Sequence, residues 1–119
     1  LNIEIEIEKE GKLEFLNLKG EIDVYSSPSL KEKVLEEIDK GVENLVINLE
    51  KVSYIDSTGL GILIGTLKRM KEREGKLYLI FSSQRLKRIF EITGLNKIFS
   101  IYESKEKLLN SLKEGGENK

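Results

Sequence analysis

Tyr54-Ile55-Asp56-Ser57-Thr58-Gly59-Leu60-Gly61 is the segment of this chain best equipped for chemistry. An apolar run ends just before it, and an apolar stripe at helical spacing begins inside it. Ser57 therefore stands where a loop turns into a helix. A hydroxyl there can cap the helix by accepting a backbone N–H. It can also carry a phosphoryl group, because free N–H groups and the helix dipole favour an anion at a helix N-terminus. The two roles are compatible, since a capping serine still presents its oxygen outward. We read Ser57 as the switch of a binding protein and not as the nucleophile of an enzyme.

Composition narrows the chemistry further. The 119 residues contain no histidine and no cysteine. Ser-His and Cys-His nucleophiles, thiolate redox chemistry and zinc sites with His or Cys ligands are thereby excluded. Carboxylate sites for magnesium or calcium remain open. Lys and Arg number 20 against 21 Asp and Glu, a net charge of −1. That balance gives no general pull toward nucleic acid or an anionic membrane. No apolar run is long enough to span a bilayer, and Leu1-Asn2-Ile3-Glu4 does not open a signal peptide. A cytoplasmic protein without catalytic residues, cofactor or metal is the expectation.

Three other constellations compete for a role. Gly59, Gly61 and Gly65 fall within one predicted helix, where each glycine costs about 1 kcal/mol relative to alanine. Close approach of another backbone, from the sheet or from a partner, is one cause. A phosphate-cradling loop is the other, but the spacing misses the dinucleotide fingerprint by one residue and no Gly-Lys-Ser/Thr follows. Gly20-Glu21-Ile22-Asp23-Val24-Tyr25-Ser26 joins a strand to a helix, and in a parallel sheet such loops share the edge where sites form. Asp23 is then placed near Ser57, either as a site residue or as a simple turn former. A receiver-like phosphoacceptor built on Asp56 lacks the acidic pair after the first strand. The basic residues Lys68, Arg69, Lys71 and Arg73, like Arg85, Lys87 and Arg88, read as solvated helix faces.

The elements that must position these groups follow from periodicity. Ile3, Ile5 and Ile7 alternate with Glu4, Glu6 and Glu8, a strand with one wet face. A turn at Glu10-Gly11-Lys12 leads to a second strand, 13–19, with Leu16 and Leu18 inward and Gly20 at its end. Ser27 and Pro28 start a first helix that Gly41 stops. The run 45–49 reads as a central strand buried on both faces. A loop over 51–56 precedes a second helix, 58–74, with Leu60, Leu63, Ile64, Leu67 and Met70 inward and Gly75 closing it. Strand 77–81, helix 84–93 capped by Ser82 or Ser83, strand 97–101 and a helix capped by Ser104 complete the chain. The order ββαβαβαβα predicts an α/β fold, with right-handed crossovers and a mostly parallel sheet packed with helices.

Three segments resemble the bacterial anti-sigma factor antagonists of the STAS class. They are Gly20-Glu21-Ile22-Asp23, the stretch from Val46-Ile47-Asn48-Leu49 through Leu60, and Phe90-Glu91-Ile92-Thr93-Gly94-Leu95. Thr58 stands where the second signature hydroxyl is more often serine. The resemblance implies a single STAS-like domain over 1–114, and the terminal residues 115–119 read as a disordered tail. It implies a partner switch, in which the unphosphorylated protein binds an anti-sigma factor and frees the sigma factor. The anti-sigma factor is a serine kinase that modifies the residue matching Ser57, and a serine phosphatase reverses the step. Glu21, Asp23, Asp56, Ser57, Thr58, Gly59 and Gly61 are the expected partner-binding residues. A STAS regulatory domain with another protein partner, or a nucleotide- or small-ligand-binding module, is the alternative.

Overall fold

A computed structural model describes residues 3–116. Strands β1 (Ile3–Glu10) and β2 (Leu13–Ile22) form a hairpin. Then follow α1 (Ser27–Asp39), β3 (Asn44–Ile55), α2 (Ser57–Glu72), β4 (Lys76–Ile80), α3 (Gln84–Thr93), β5 (Ser100–Tyr102) and α4 (Lys105–Ser111). This is the expected ββαβαβαβα order in one α/β sheet layer packed with helices. The five-stranded sheet runs β1-β2-β3-β4-β5, with β1 antiparallel to β2 and every later pair parallel. Of the expected tail, Gly115 and Gly116 complete a π turn, Leu112–Gly116, and 117–119 lie outside the described residues. Among the described residues no helix is long and apolar enough to cross a membrane.

Sequential strand order has a geometric consequence. Right-handed crossovers that always step the same way put their helices on one side of the sheet. The large core lies there: Leu16, Leu18, Leu45, Ile47, Leu49, Leu77 and Leu79 meet α1 through Leu30, Val34 and Ile38, α2 through Leu63, Leu67 and Met70, and α3 through Leu86 and Phe90. Alternate strand residues point to the other face, where Leu13, Phe15, Val46 and Ile80 pack against Leu108 of α4. The run 45–49 is apolar because its strand is covered on both sides. Ile64, expected inward, is 40% exposed on the flank of α2.

Two strands run further than the sequence predicts. β2 continues past Gly20 to Ile22, and β3 takes up the segment expected as a loop and ends only at Ile55. The cause is a pair of register shifts, between Asn17 and Lys19 and between Gly20 and Glu21. At each, β3 spends one residue more than β2, as a β-bulge does. Buried Leu49, Val52 and Ile55 are therefore three residues apart, and the period of two disappears from the sequence. β5 begins at Ser100 and not at Lys97, because Gly94 (φ 75°) ends α3 and a 3₁₀ turn occupies Leu95–Lys97.

The lower end of the sheet holds an unusual acid pair. Glu14 of β2 and Glu37 of α1 are both buried. Lys9 lies 4.0 Å from Glu14 and Lys40 lies 3.4 Å from Glu37. Glu14 Oε2 has no hydrogen-bond partner among the described residues. One proton held between the two carboxyls makes this tenable, and burial, then the Glu37 carboxylate, pushes Glu14 up to about 7. Unfolding returns Glu14 to its ordinary range near 4.5. Glu14's contribution is therefore complete below that range and is lost as pH rises through about 7. Glu37, held below the usual carboxylate range by the Glu14 proton and then Lys40, loses its contribution only at acid pH. Denaturant titrations should show stability falling between pH 5 and pH 8, and Glu14→Gln, which keeps a donor toward Glu37, should flatten that slope.

The end of α2 is also specific. Gly75 N–H reaches Met70 O at 2.7 Å and Glu74 N–H reaches Lys71 O at 3.0 Å, the paired bonds of a Schellman cap. The left-handed position is Glu74 (φ 60°), one residue before the expected Gly75. Gly75 is needed for another reason: a Cβ there would stand 2.7 Å from Met70 Cε and 3.0 Å from Glu43 O. Glu74→Gly should stabilise the protein by about 0.5–1 kcal/mol, the left-handed strain relieved less the added chain entropy. Thermal denaturation reads this directly.

Candidate functional site

The first turn of α2 begins on a cap that the sequence assigns to its neighbour. Asp56, not Ser57, is the N-cap, and its carboxylate accepts the Gly59 N–H at 3.0 Å. Its carbonyl takes the Leu60 N–H at 2.9 Å, and its own N–H is fixed to Ile22 O at 3.1 Å. Ser57 is thereby released from capping. It becomes the first helical residue, exposed, with Thr58 exposed beside it. Of the N–H groups that a helix start leaves over, Gly59 and Leu60 are satisfied by Asp56. Those of Ser57 and Thr58 face outward with the positive end of the dipole.

Gly59 explains how this turn sits so close to the sheet. A Cβ at Gly59 would lie 2.6 Å from Ile22 Cγ2, 2.7 Å from Ile55 Cγ1 and 3.0 Å from Ile22 O. Of the causes open for the glycines, approach of the sheet is the one found here. Gly61 and Gly65 differ, since nothing lies within 4 Å of a Cβ at either. They line a furrow of about 180 Å³ between α1 and α2, together with Val34 and Arg69.

Pairing of Ile22 with Ile55 places Asp23 and Asp56 at neighbouring strand ends on one edge. Asp23 organises its own loop: its Oδ1 accepts N–H groups from Tyr25 and Ser26, each at 2.9 Å. Ser26 Oγ donates to Glu21 O at 2.6 Å and accepts the Asp23 N–H at 3.0 Å. Ser26 also takes the N-cap place of α1 that the sequence gives to Ser27, although its hydroxyl is spent on the loop. Bonds from Ser26 and then Tyr25 hold the Asp23 carboxyl below the usual carboxylate range. Asp23 is thus both a turn former and a charge on the Ser57 edge. Glu21 pairs with Tyr54 one step below, and both are exposed. Among the described residues no group of three or more His, Cys, Asp or Glu side chains could hold a metal ion.

A family profile described as STAS domain matches residues 4–108. The chain belongs to the STAS domain family. It is 40% identical over 106 residues to a protein named anti-sigma-B factor antagonist from Staphylococcus aureus (strain NCTC 8325 / PS 47), covering 89% of this chain and 98% of that one. A Bacillus subtilis (strain 168) protein of the same name is 43% identical, covering 89% and 96%. The crystal structure of an anti-sigma factor antagonist from Mycobacterium paratuberculosis superposes with a TM-score of 0.85 at 25% identity, covering 93% of this chain and 94% of that one. The unphosphorylated form of the anti-sigma factor antagonist SpoIIAA, at 20% identity and a TM-score of 0.72 over 94% of this chain and 99% of that one, shares the fold. The resemblance read in the three sequence segments holds.

The edge of this STAS domain carries more than the sequence reading assigned to it. Val24 is 56% exposed, Tyr25 73% and Tyr54 44%. Val24 and Tyr25 form the tip of the loop that Asp23 braces, and Tyr54 sits one residue before the paired Ile55. Large apolar side chains exposed together beside a polar helix start mark a contact surface. A signal was present, since Val24-Tyr25 is an apolar pair in a turn where polar residues are usual. Arg85 of α3 reaches the same region, its Nη1 3.3 Å from Ser53 O.

Proposed function

We propose that this STAS domain is an anti-sigma factor antagonist, and that it docks an anti-sigma factor through the edge formed by the β2–α1 loop, the end of β3 and the first turn of α2. The observation that carries this reading is Ser57: exposed, first in its helix, and free of capping. The names of the relatives support it. The chain is a regulatory binding protein of the cytoplasm in this account, and the anti-sigma factor is a serine kinase that uses ATP and magnesium. The kinase transfers the γ-phosphoryl group to Ser57 Oγ, the hydroxyl proton is lost, and ADP leaves. A serine phosphatase hydrolyses the ester and restores the binding form. Glu21, Asp23, Asp56 and Thr58 supply the polar part of the contact. Gly59 supports it by seating the helix on the sheet, and Gly61 leaves a path for a partner along α2.

Apolar anchors carry most of the energy in such contacts, aromatic residues above all. Tyr25→Ala should weaken the complex with the anti-sigma factor by about 2 kcal/mol, or about thirtyfold, while leaving the melting temperature unchanged. Isothermal titration with the purified anti-sigma factor measures both the wild-type complex and this loss. A complex that releases the sigma factor in a transcription assay supports the function. Absence of any complex at micromolar concentrations contradicts it.

A further inference from the structure

A groove of about 820 Å³ opens at the end of the sheet opposite Ser57. It lies between the β1–β2 turn, the first residues of β3 and β4, and α4. Its origin is the brevity of α4, seven residues laid over the second face of the sheet. Leu108 closes the middle of that face, while Leu13, Tyr78, Leu109 and Leu112 line the space left beside it. The volume falls within the range of about 300–1,000 Å³ usual for small-molecule sites, which are mostly apolar with a few placed polar groups.

Lysines predominate among the polar groups here. Lys12 and Lys76 line the groove, are exposed, and belong to no ion pair among the described residues. Asn44 Nδ2 donates to Lys12 O at 3.2 Å and so fixes the turn that carries that lysine. Glu10, the acid of the lining, is held to Lys105 at 2.8 Å, an ammonium it shares with Glu8 at 3.0 Å. Tyr78 adds a phenol that burial, and then neighbouring Tyr102, keeps protonated well above neutral pH, so it is a donor. Unpaired ammonium groups beside an apolar floor complement a ligand that is apolar along its length and negative at one end.

We propose that this groove binds a free single-headed anionic amphiphile, a medium-length alkyl chain ending in a carboxylate. The chain would lie on Leu13, Tyr78, Leu109 and Leu112, with its head between Lys12 and Lys76. The protein's net charge of −1 offers no draw to an anionic bilayer, so the ligand is taken as a monomer from solution. This site is remote from the Ser57 edge and independent of the function proposed above.

Titration of the ¹⁵N-labelled protein with decanoate below its micellar concentration tests the proposal. Amide shifts should saturate with a Kd below about 1 mM and centre on Leu13, Asn44, Tyr78 and Leu109. Decanol, which lacks the charge, and acetate, which lacks the chain, should each bind at least about tenfold more weakly. The double variant Lys12→Ala/Lys76→Ala, with both changes at exposed positions, should bind decanoate no better than decanol. Ser57→Ala should bind decanoate as the unaltered protein does. No saturable shift up to about 2 mM, equal binding of decanol, or shifts centred away from the groove would each overturn it.

Discussion

Phosphorylation of Ser57 should weaken the complex with the anti-sigma factor by about a hundredfold, or about 2.7 kcal/mol, without unfolding the domain. A phosphoserine carries about −1.5 to −2 charges at neutral pH. Two local effects oppose each other. The outward N–H groups of Ser57 and Thr58 and the helix dipole favour the added charge. The Asp56 carboxylate next to it, and Asp23 on the neighbouring strand end, disfavour it. Neither alters the core, so the melting temperature should stay within a few degrees. The partner meets a different balance. Its contact would cover Val24, Tyr25 and Tyr54, all exposed in this structure, and a dianion among them must be desolvated without a counter-ion. Ser57→Asp carries less charge and fewer oxygens, so its loss should be nearer tenfold. Ser57→Ala should bind as the unmodified protein does and should keep binding after incubation with kinase and ATP. Isothermal titration of the three forms measures the series. Equal affinity of the phosphorylated and unmodified proteins would contradict it.

Gly59→Ala should destabilise the fold by about 1–3 kcal/mol, even though alanine is the better helix former by about 1 kcal/mol. The added methyl must displace Ile22 Cγ2 and Ile55 Cγ1, and it also meets a backbone oxygen, Ile22 O, at 3.0 Å. Both isoleucines are buried at paired strand ends, so neither has space to retreat into. Relief comes only by lifting the first turn of α2 off the sheet, which carries Ser57 with it. Gly61→Ala, two residues on, should do the reverse and stabilise by about 1 kcal/mol, since its Cβ would enter open space. Denaturant melts of the two variants, read together, separate the internal role of one glycine from the external role of the other. If both variants shift in the same direction, the packing account of Gly59 is wrong.

The contrast between these glycines shows where sequence reasoning stops. Glycine in a helix announces a close approach without naming which surface approaches. The same holds along β3. Its apolar run 45–49 was readable because continuous burial needs no phase. Val52 and Ile55 were not, because two bulges shift their facing by one residue each. A strand therefore passed for a loop. Ser57 could be placed at the start of a helix from the hydroxyl and the stripe that follows. That Asp56 would take the cap could not be read, since Asp and Ser are near equals as caps. The structure resolves the choice through the bond from Gly59 N–H to Asp56, and in doing so leaves the serine exposed. The placing of Asp23 near Ser57 rests on loop topology alone, and the pairing of Ile22 with Ile55 sets Asp23 and Asp56 at neighbouring strand ends. The exposed Val24 and Tyr25 were present in the sequence, but apolar residues in a turn say nothing of their accessibility until the turn is seen braced by Asp23.

Strand order also bears on the competing ligand reading. Doubly wound sheets make a nucleotide crevice where the strand order reverses. The order β1-β2-β3-β4-β5 contains no reversal. Gly59, packed against Ile22 and Ile55, is a packing device, whereas Gly61 and Gly65 face open space.

The most direct measurement is the position of the phosphate. The purified chain, incubated with the anti-sigma factor kinase proposed as its partner, ATP and magnesium, is digested and mapped by tandem mass spectrometry. The account predicts one phosphoryl group, on Ser57, and none on the Ser57→Ala protein. Phosphate on Ser26 or Ser53 with Ser57 unmodified, or full incorporation into Ser57→Ala, would contradict it.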